Sequence, residues 1–209
     1  MRTAILIFDK LTALDAVGPY EVLSRLPGAQ LEFVAKEPGP KRTDTGALSL
    51  VAERGLGDVA PGEVDLLLVP GGEGNRPLLE DDEVLGWVKE VHSRSEWTTS
   101  VCTGALVLGA AGVLGGLRAT THWAFLNRLG DYGATPVSER VVVEGKVVTA
   151  AGVSAGIDMA LTLAAEIAGP DVAQAIQLGI EYDPQPPFDA GSPAKAPPAI
   201  VEFVRSREG

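Results

Sequence analysis

The stretch Trp97-Thr98-Thr99-Ser100-Val101-Cys102-Thr103-Gly104-Ala105 runs a buried apolar strand, Trp97 to Val101, straight into a small-residue helix opening at Thr103-Gly104-Ala105. The corner between them carries the chain's single cysteine. Ser100-Val101-Cys102-Thr103-Gly104 has the form of a nucleophile elbow, with sulfur in place of the usual serine oxygen. A thiol at a helix start faces free backbone N–H groups and the positive end of the helix dipole, which stabilises its thiolate. Cys102 is therefore a candidate nucleophile; the competing reading is a buried structural cysteine, as most free cysteines are.

Outward from this corner, strand and helix alternate. An apolar run from Thr3 to Phe8 precedes an amphipathic segment, Ala16 to Leu26, and a second strand, Gln30 to Ala35. Val64 to Pro70 reads as a near-continuous apolar strand buried on both faces and cut off by Gly71-Gly72. A helix from Glu83 to Ser93 leads into the elbow strand, and after the elbow helix come a short strand, Ala119 to Thr121, and a helix from His122 to Leu129. Val141 to Val148 predicts a hairpin turning at Glu144-Gly145. Ser154 is placed to cap an apolar helix reaching Ala168, with Gly169 ending it and Pro170 opening the next. This order predicts an α/β fold with a mostly parallel sheet. From Pro184 to Pro198 proline and glycine exclude both helix and central strand, so an extended tail is expected before a short helix, Ala199 to Arg207. Phe188 in that tail predicts packing on its own domain or on a second subunit; a disordered linker is the alternative. The expected division is a domain over 1–183 and a C-terminal extension over 184–209.

A chain of 209 residues with 45% hydrophobic side chains suffices for one domain with a full core. The net charge of −11 argues against a nucleic-acid binder, and small neutral substrates fit better. No apolar stretch approaches the ~20 residues of a membrane span, and no signal-peptide pattern precedes the first strand, so a cytoplasmic protein is expected. One cysteine forms no internal disulfide, and two histidines without partner cysteines give no metal pattern.

In open α/β sheets ligands bind at the carboxyl ends of the strands, where Asp15, Gly71-Gly72 and Cys102 all fall. Asp15 reads either as a cap of the first helix or as a carboxyl facing the thiol. Gly71 and Gly72 read either as a tight turn or as backbone donors to developing negative charge, completed by the amide of Thr103. Thr103 offers a hydroxyl beside the sulfur. His122 could act as a base, although a histidine capping the following helix is the reading favoured here. Asp158 is expected to complement the start of its helix, and His92 to sit on solvated surface.

Ser100-Val101-Cys102-Thr103-Gly104-Ala105 with Ala119-Thr120-Thr121-His122-Trp123 resembles the ThiJ/PfpI superfamily. Leu14-Asp15 to Gly18-Pro19, Pro70-Gly71-Gly72, Gly152 to Asp158 and the tail Tyr182-Asp183-Pro184 to Gly191-Ser192-Pro193 resemble its isonitrile hydratase branch. The resemblance implies a flavodoxin-like three-layer sandwich and a homodimer that hydrates an isocyanide to an N-substituted formamide without a cofactor. It also implies Cys102 as nucleophile, Asp15 as acid partner and Thr103 as assistant. Thr103 stands where the protease branch has histidine, and His122 is followed by Trp123 and Ala124 rather than the His-x-Glu pair of amidotransferases, so neither activity is expected. The transcription-regulator branch carries a helix-turn-helix module after this domain, which is not expected in a chain stopping at Gly209. Two alternatives remain on the same scaffold: a glyoxalase-like or deglycating thiol enzyme, and a redox-sensing or protective thiol protein.

Overall fold

The computed structural model describes residues 1–207. Its strands, in chain order, are β1 (Arg2–Leu6), β2 (Gln30–Ala35), β3 (Gly39–Arg42), β4 (Ser49–Ala52), β5 (Arg54–Gly55), β6 (Leu66–Val69), β7 (Trp97–Val101), β8 (Arg118–Ala119), β9 (Thr135–Pro136), β10 (Val141–Glu144) and β11 (Val147–Ala150). Seven of them form one sheet in the order β10-β11-β7-β6-β1-β2-β5, in which every pairing is parallel except β10 with β11. The helices are α1 (Ala13–Leu23), α2 (Asp82–Arg94), α3 (Gly104–Ala110), α4 (Ala155–Ala168), α5 (Pro170–Gly179) and α6 (Pro198–Arg205), with a 3₁₀ helix over Trp123–Tyr132.

Why the sheet carries helices on both faces is written in β6. Leu66 and Leu68 point to one side and Leu67 and Val69 to the other, all four fully buried. The first pair joins a core with residues of α1, α4 and α5, including Val22, Leu23, Met159, Leu163 and Ile176. The second pair joins Val84, Trp87, Val88 and Val91 of α2 and Leu106 and Leu108 of α3. The four α2 residues recur at the spacing that lines one helical face, and Asp81 caps that helix by accepting from the amides of Glu83 and Val84. The result is the flavodoxin-like three-layer arrangement.

Departures from the sequence expectations have local causes. Strand β1 and helix α1 each begin earlier than expected, and the β3–β4 hairpin and β5 were not anticipated; Gly39-Pro40-Lys41-Arg42 carries no apolar alternation to announce a strand. The segment after His122 is a 3₁₀ helix. The β10–β11 turn falls on Gly145-Lys146, with Gly145 at φ +59°. Ser154 precedes α4 but does not cap it; its hydroxyl accepts from Arg140 at 3.2 Å. Gly169, at φ +88°, ends α4 and Pro170 opens α5 as expected. Residues 184–197 form no helix or strand, and α6 follows. Phe188 is 78% exposed, so it does not pack on its own domain.

The approach of α3 to the sheet is set by one missing side chain. A Cβ at Gly104 would lie 2.1 Å from the carbonyl oxygen of Val69 and 2.8 Å from that of Pro70. Helix propensity favours alanine over glycine by ~1 kcal/mol, but backbone carbonyls cannot retreat as a flexible side chain can. Gly104→Ala is therefore expected to lower stability by about 1–3 kcal/mol, the usual cost of overpacking, in urea unfolding; a gain in stability would contradict this packing.

Candidate active site

The loops after β1, β6 and β7 meet at the carboxyl ends of three neighbouring parallel strands. They are tied together by backbone hydrogen bonds: Thr12 N–H donates to Gly71 O at 2.9 Å, and Gly74 N–H to Lys10 O at 3.2 Å. Cys102 sits at the corner with φ +55°, a left-handed conformation uncommon outside glycine. Four hydrogen bonds hold the corner there. Cys102 N–H is shared between Ala150 O (3.2 Å) and Ala151 O (2.9 Å), Thr121 Oγ1 donates to Cys102 O at 2.6 Å, and Asn75 Nδ2 donates to Thr103 O at 2.8 Å. Asn75 and Thr121 are both buried, and sequence reading gave them no role; each acts across more than eighteen positions of chain, which no local pattern signals.

Asp15 lies in the first turn of α1 but does not cap it; Thr12 holds the cap position, and the Asp15 carboxyl is turned inward and fully buried. Its Oδ2 accepts from Gly71 N–H at 2.9 Å, and the carboxyl is within hydrogen-bonding reach of the Cys102 thiol. Burial drives its pKa up to about 7, against smaller lowering contributions from the Gly71 amide and the thiol. Oδ1 is buried without a conventional hydrogen bond among the described residues. Gly71 has no room for a side chain: a Cβ would fall 2.6 Å from Thr103 N and 2.9 Å from Asp15 Oδ2.

Of the two readings of Gly71 and Gly72, a tight turn or donors to an oxyanion hole, the second would leave their amides open to the crevice. They are instead committed, Gly71 to Asp15 and Gly72 to Thr103 Oγ1 at 3.1 Å. Their work is to fix the carboxyl and the hydroxyl. Cys102 is 6% exposed, and that exposure opens into a pocket of about 710 Å³ lined also by Thr103, Asn75, Leu106, His122 and Phe125. His122 thus faces the same space as the sulfur. It occupies the cap position of the 3₁₀ helix but its ring does not cap; it packs on Trp123 and Phe125 and against Gly152, where a Cβ would come within 2.7 Å.

Two other residues stand away from this site. His92 is half-buried, not solvated, with Nδ1 2.9 Å from Thr98 Oγ1, and burial together with Lys146 holds its pKa down. Asp158, in the first turn of α4, pairs with Arg140. Among the described residues no group of three or more His, Cys, Asp or Glu side chains is placed to hold a metal ion, and no helix is long and apolar enough to cross a membrane.

Residues 1–166 match the DJ-1/PfpI family. The chain belongs to the DJ-1/PfpI family. It is 46% identical over 207 residues, 99% of its length and 90% of the relative's, to a Pseudomonas putida protein named isonitrile hydratase. The crystal structure of a ThiJ/PfpI family protein from Pseudomonas syringae superposes with a TM-score of 0.95 at 37% identity, covering 99% of this chain and 85% of the other. Drosophila melanogaster DJ-1beta shares the fold at 20% identity, with a TM-score of 0.79 over 88% of this chain and 98% of its own.

Because Asp15 binds its proton more tightly folded than unfolded, the folded state holds the extra proton between the ordinary carboxyl value of 3.8 and about 7. Stability should therefore fall as pH rises through that window, by roughly 4 kcal/mol for this group. Asp15→Asn is expected to flatten that segment of the pH–stability curve and to exceed wild type above pH 7 in urea denaturation. An unchanged wild-type-like slope in the variant would mean that Asp15 is ionised in the folded protein.

Proposed function

We propose that this protein hydrates an isocyanide, R–N≡C, to an N-substituted formamide through a covalent thioimidate on Cys102. The carrying observation is a carboxyl that holds its proton near neutrality, placed beside a thiol that opens into a pocket. The 46% identity to a protein named isonitrile hydratase supports the substrate class.

The terminal carbon of an isocyanide accepts both a nucleophile and a proton, so the reaction needs a thiolate and an acid together. Two anions at this separation would repel, so the pair shares one proton and titrates as a unit. In the first step the Cys102 thiolate forms the S–C bond and the Asp15 carboxyl gives its proton to the same carbon, leaving R–N=CH–S–Cys. Water then adds to that carbon while the nitrogen gains a proton from it. The C–S bond breaks with the electron pair returning to sulfur, the remaining hydroxyl proton goes to the Asp15 carboxylate, and R–NH–CHO leaves. The formyl hydrogen thus comes from Asp15, which water recharges. Thr103 Oγ1, fixed by Gly72, steers the attacking water, and no cofactor takes part. His122 completes the wall of the pocket without a proton-transfer step.

In the same reading residues 1–183 form the catalytic domain and 184–209 an extension of a cytoplasmic homodimer. The exposure of Phe188, Leu178, Ile200 and Phe203 supports a partner surface of this kind.

Cys102→Ala is expected to abolish turnover of cyclohexyl isocyanide with the fold intact, and the wild-type protein stalled with isocyanide should gain the substrate mass on Cys102. Asp15→Asn should retain a thiol that alkylates but lose turnover at least a hundredfold, the scale of one general acid. The wild-type rate should fall on the alkaline side as pH passes about 7, where Asp15 loses its proton. Turnover of methylglyoxal in place of any isocyanide would assign the site to a glyoxalase-type reaction.

A further inference from the structure

The pocket above Cys102 has a cationic rim that the hydration reaction leaves unused. Arg76, Arg128 and Arg207 line it, together with Leu106 and Phe125. Phe125 and Arg128 are three apart on the 3₁₀ helix Trp123–Tyr132, where residues at that spacing eclipse, so one face presents an apolar ring and then a guanidinium to the cavity. Arg76 follows Asn75, whose side chain is bonded to the backbone at the start of α3, and it lines the same pocket as Phe125 and Arg128.

The charge balance makes these side chains unusual. The chain has 28 acidic and 17 basic residues, and seven of the basic ones are held in ion pairs. Among the described residues no carboxylate pairs with Arg76, Arg128 or Arg207. On the facing wall the Asp9 carboxylate accepts from Arg42 N–H at 2.9 Å, and Asp44 from Thr12 Oγ1 and Thr45 N–H at 2.7 Å each. Those bonds orient the two carboxylates without cancelling their charge, so the lining holds three acids, Asp9, Asp44 and Glu73, against four cations, Lys10, Arg76, Arg128 and Arg207. The net charge of −11 repels an anion at long range, but at 0.1 M salt charges beyond about 10 Å are screened, which leaves the small cationic excess of the lining to act on a bound anion.

Resting on the hydratase reading, we propose that the substrate is an isocyanide carrying a carboxylate: the isocyano carbon reaches Cys102, an apolar spacer lies along Leu106 and Phe125, and the carboxylate is received by Arg76 and Arg128. The guanidinium fork matches a carboxylate in shape and charge, which a lysine rim would not.

The product analogue 4-formamidobutanoate and its methyl ester separate the anion site from catalysis, since both can be titrated calorimetrically against the wild-type protein at physiological salt. The acid is expected to bind about tenfold tighter than the ester, the factor supplied by a charge-assisted hydrogen bond, and the preference should vanish in the Arg76→Gln/Arg128→Gln double variant and at high salt. Lys89→Gln, an exposed change on α2, serves as the charge control. Equal binding of acid and ester, or a loss in Lys89→Gln matching that in the double variant, would overturn the carboxylate site. In turnover, the ratio of kcat/KM for 4-isocyanobutanoate over its methyl ester should drop tenfold in the double variant. Hydration of cyclohexyl isocyanide with no acid preference would defeat this inference alone. An acid preference in binding with no isocyanide turned over would defeat the hydratase reading and leave the anion site standing.

Discussion

The backbone at Cys102 is held where an L-residue does not settle by itself, and the site depends on that one constraint. A left-handed residue between β7 and α3 lifts the sulfur out of the sheet plane and turns it toward the first turn of α1. Such a conformation costs on the order of 1–3 kcal/mol and persists only when its surroundings over-determine it. Here they do. Thr121 and Asn75 hold the two successive carbonyls, Ala150 and Ala151 share the amide, and Gly104 lets α3 sit against the carbonyl of Val69.

Buried Asp15 is the second half of the same construction. Glycines at 71 and 72 bring the β6 loop so close that one amide binds the carboxyl and the next binds the Thr103 hydroxyl. A lone carboxylate in such surroundings is disfavoured, and the protein resolves the conflict by keeping the group protonated near neutrality, which is the form an acid catalyst requires. The desolvation that weakens the fold as pH rises toward neutrality is thus the same effect on which the proposed acid step relies.

What could be read from the sequence was local. Leu66-Leu67-Leu68-Val69 announced a strand covered on both sides, the Val101-Cys102-Thr103-Gly104 corner announced its turn, and Gly169-Pro170 marked a helix end and a helix start, because each depends on neighbours in the chain. Asp15 and Cys102 were legible as candidates because both fall at strand ends. The direction of the Gly71 and Gly72 amides was not, since it depends on loops 31 to 56 residues away. For the same reason Asn75 and Thr121, and the place of Arg76 and Arg128 on the lining of one pocket, could be found only in the folded chain. The β3–β4 hairpin escaped because β3, Gly39-Pro40-Lys41-Arg42, has no apolar alternation, and the apolar run of β4 is only Leu50-Val51-Ala52.

The outer strands of the sheet have a consequence of their own. On one side the last strand, β5, is only two residues long, and Arg54 within it is engaged with Glu32 and Glu63. On the other, β10 begins beside Arg140 and ends on Glu144, each of them in an ion pair. Neither margin offers a long, uncharged row of open amides and carbonyls, so a foreign strand finds little to extend. Short, charge-flanked margins of this kind disfavour edge-to-edge pairing, which matters in a chain whose central strand β6 is apolar throughout.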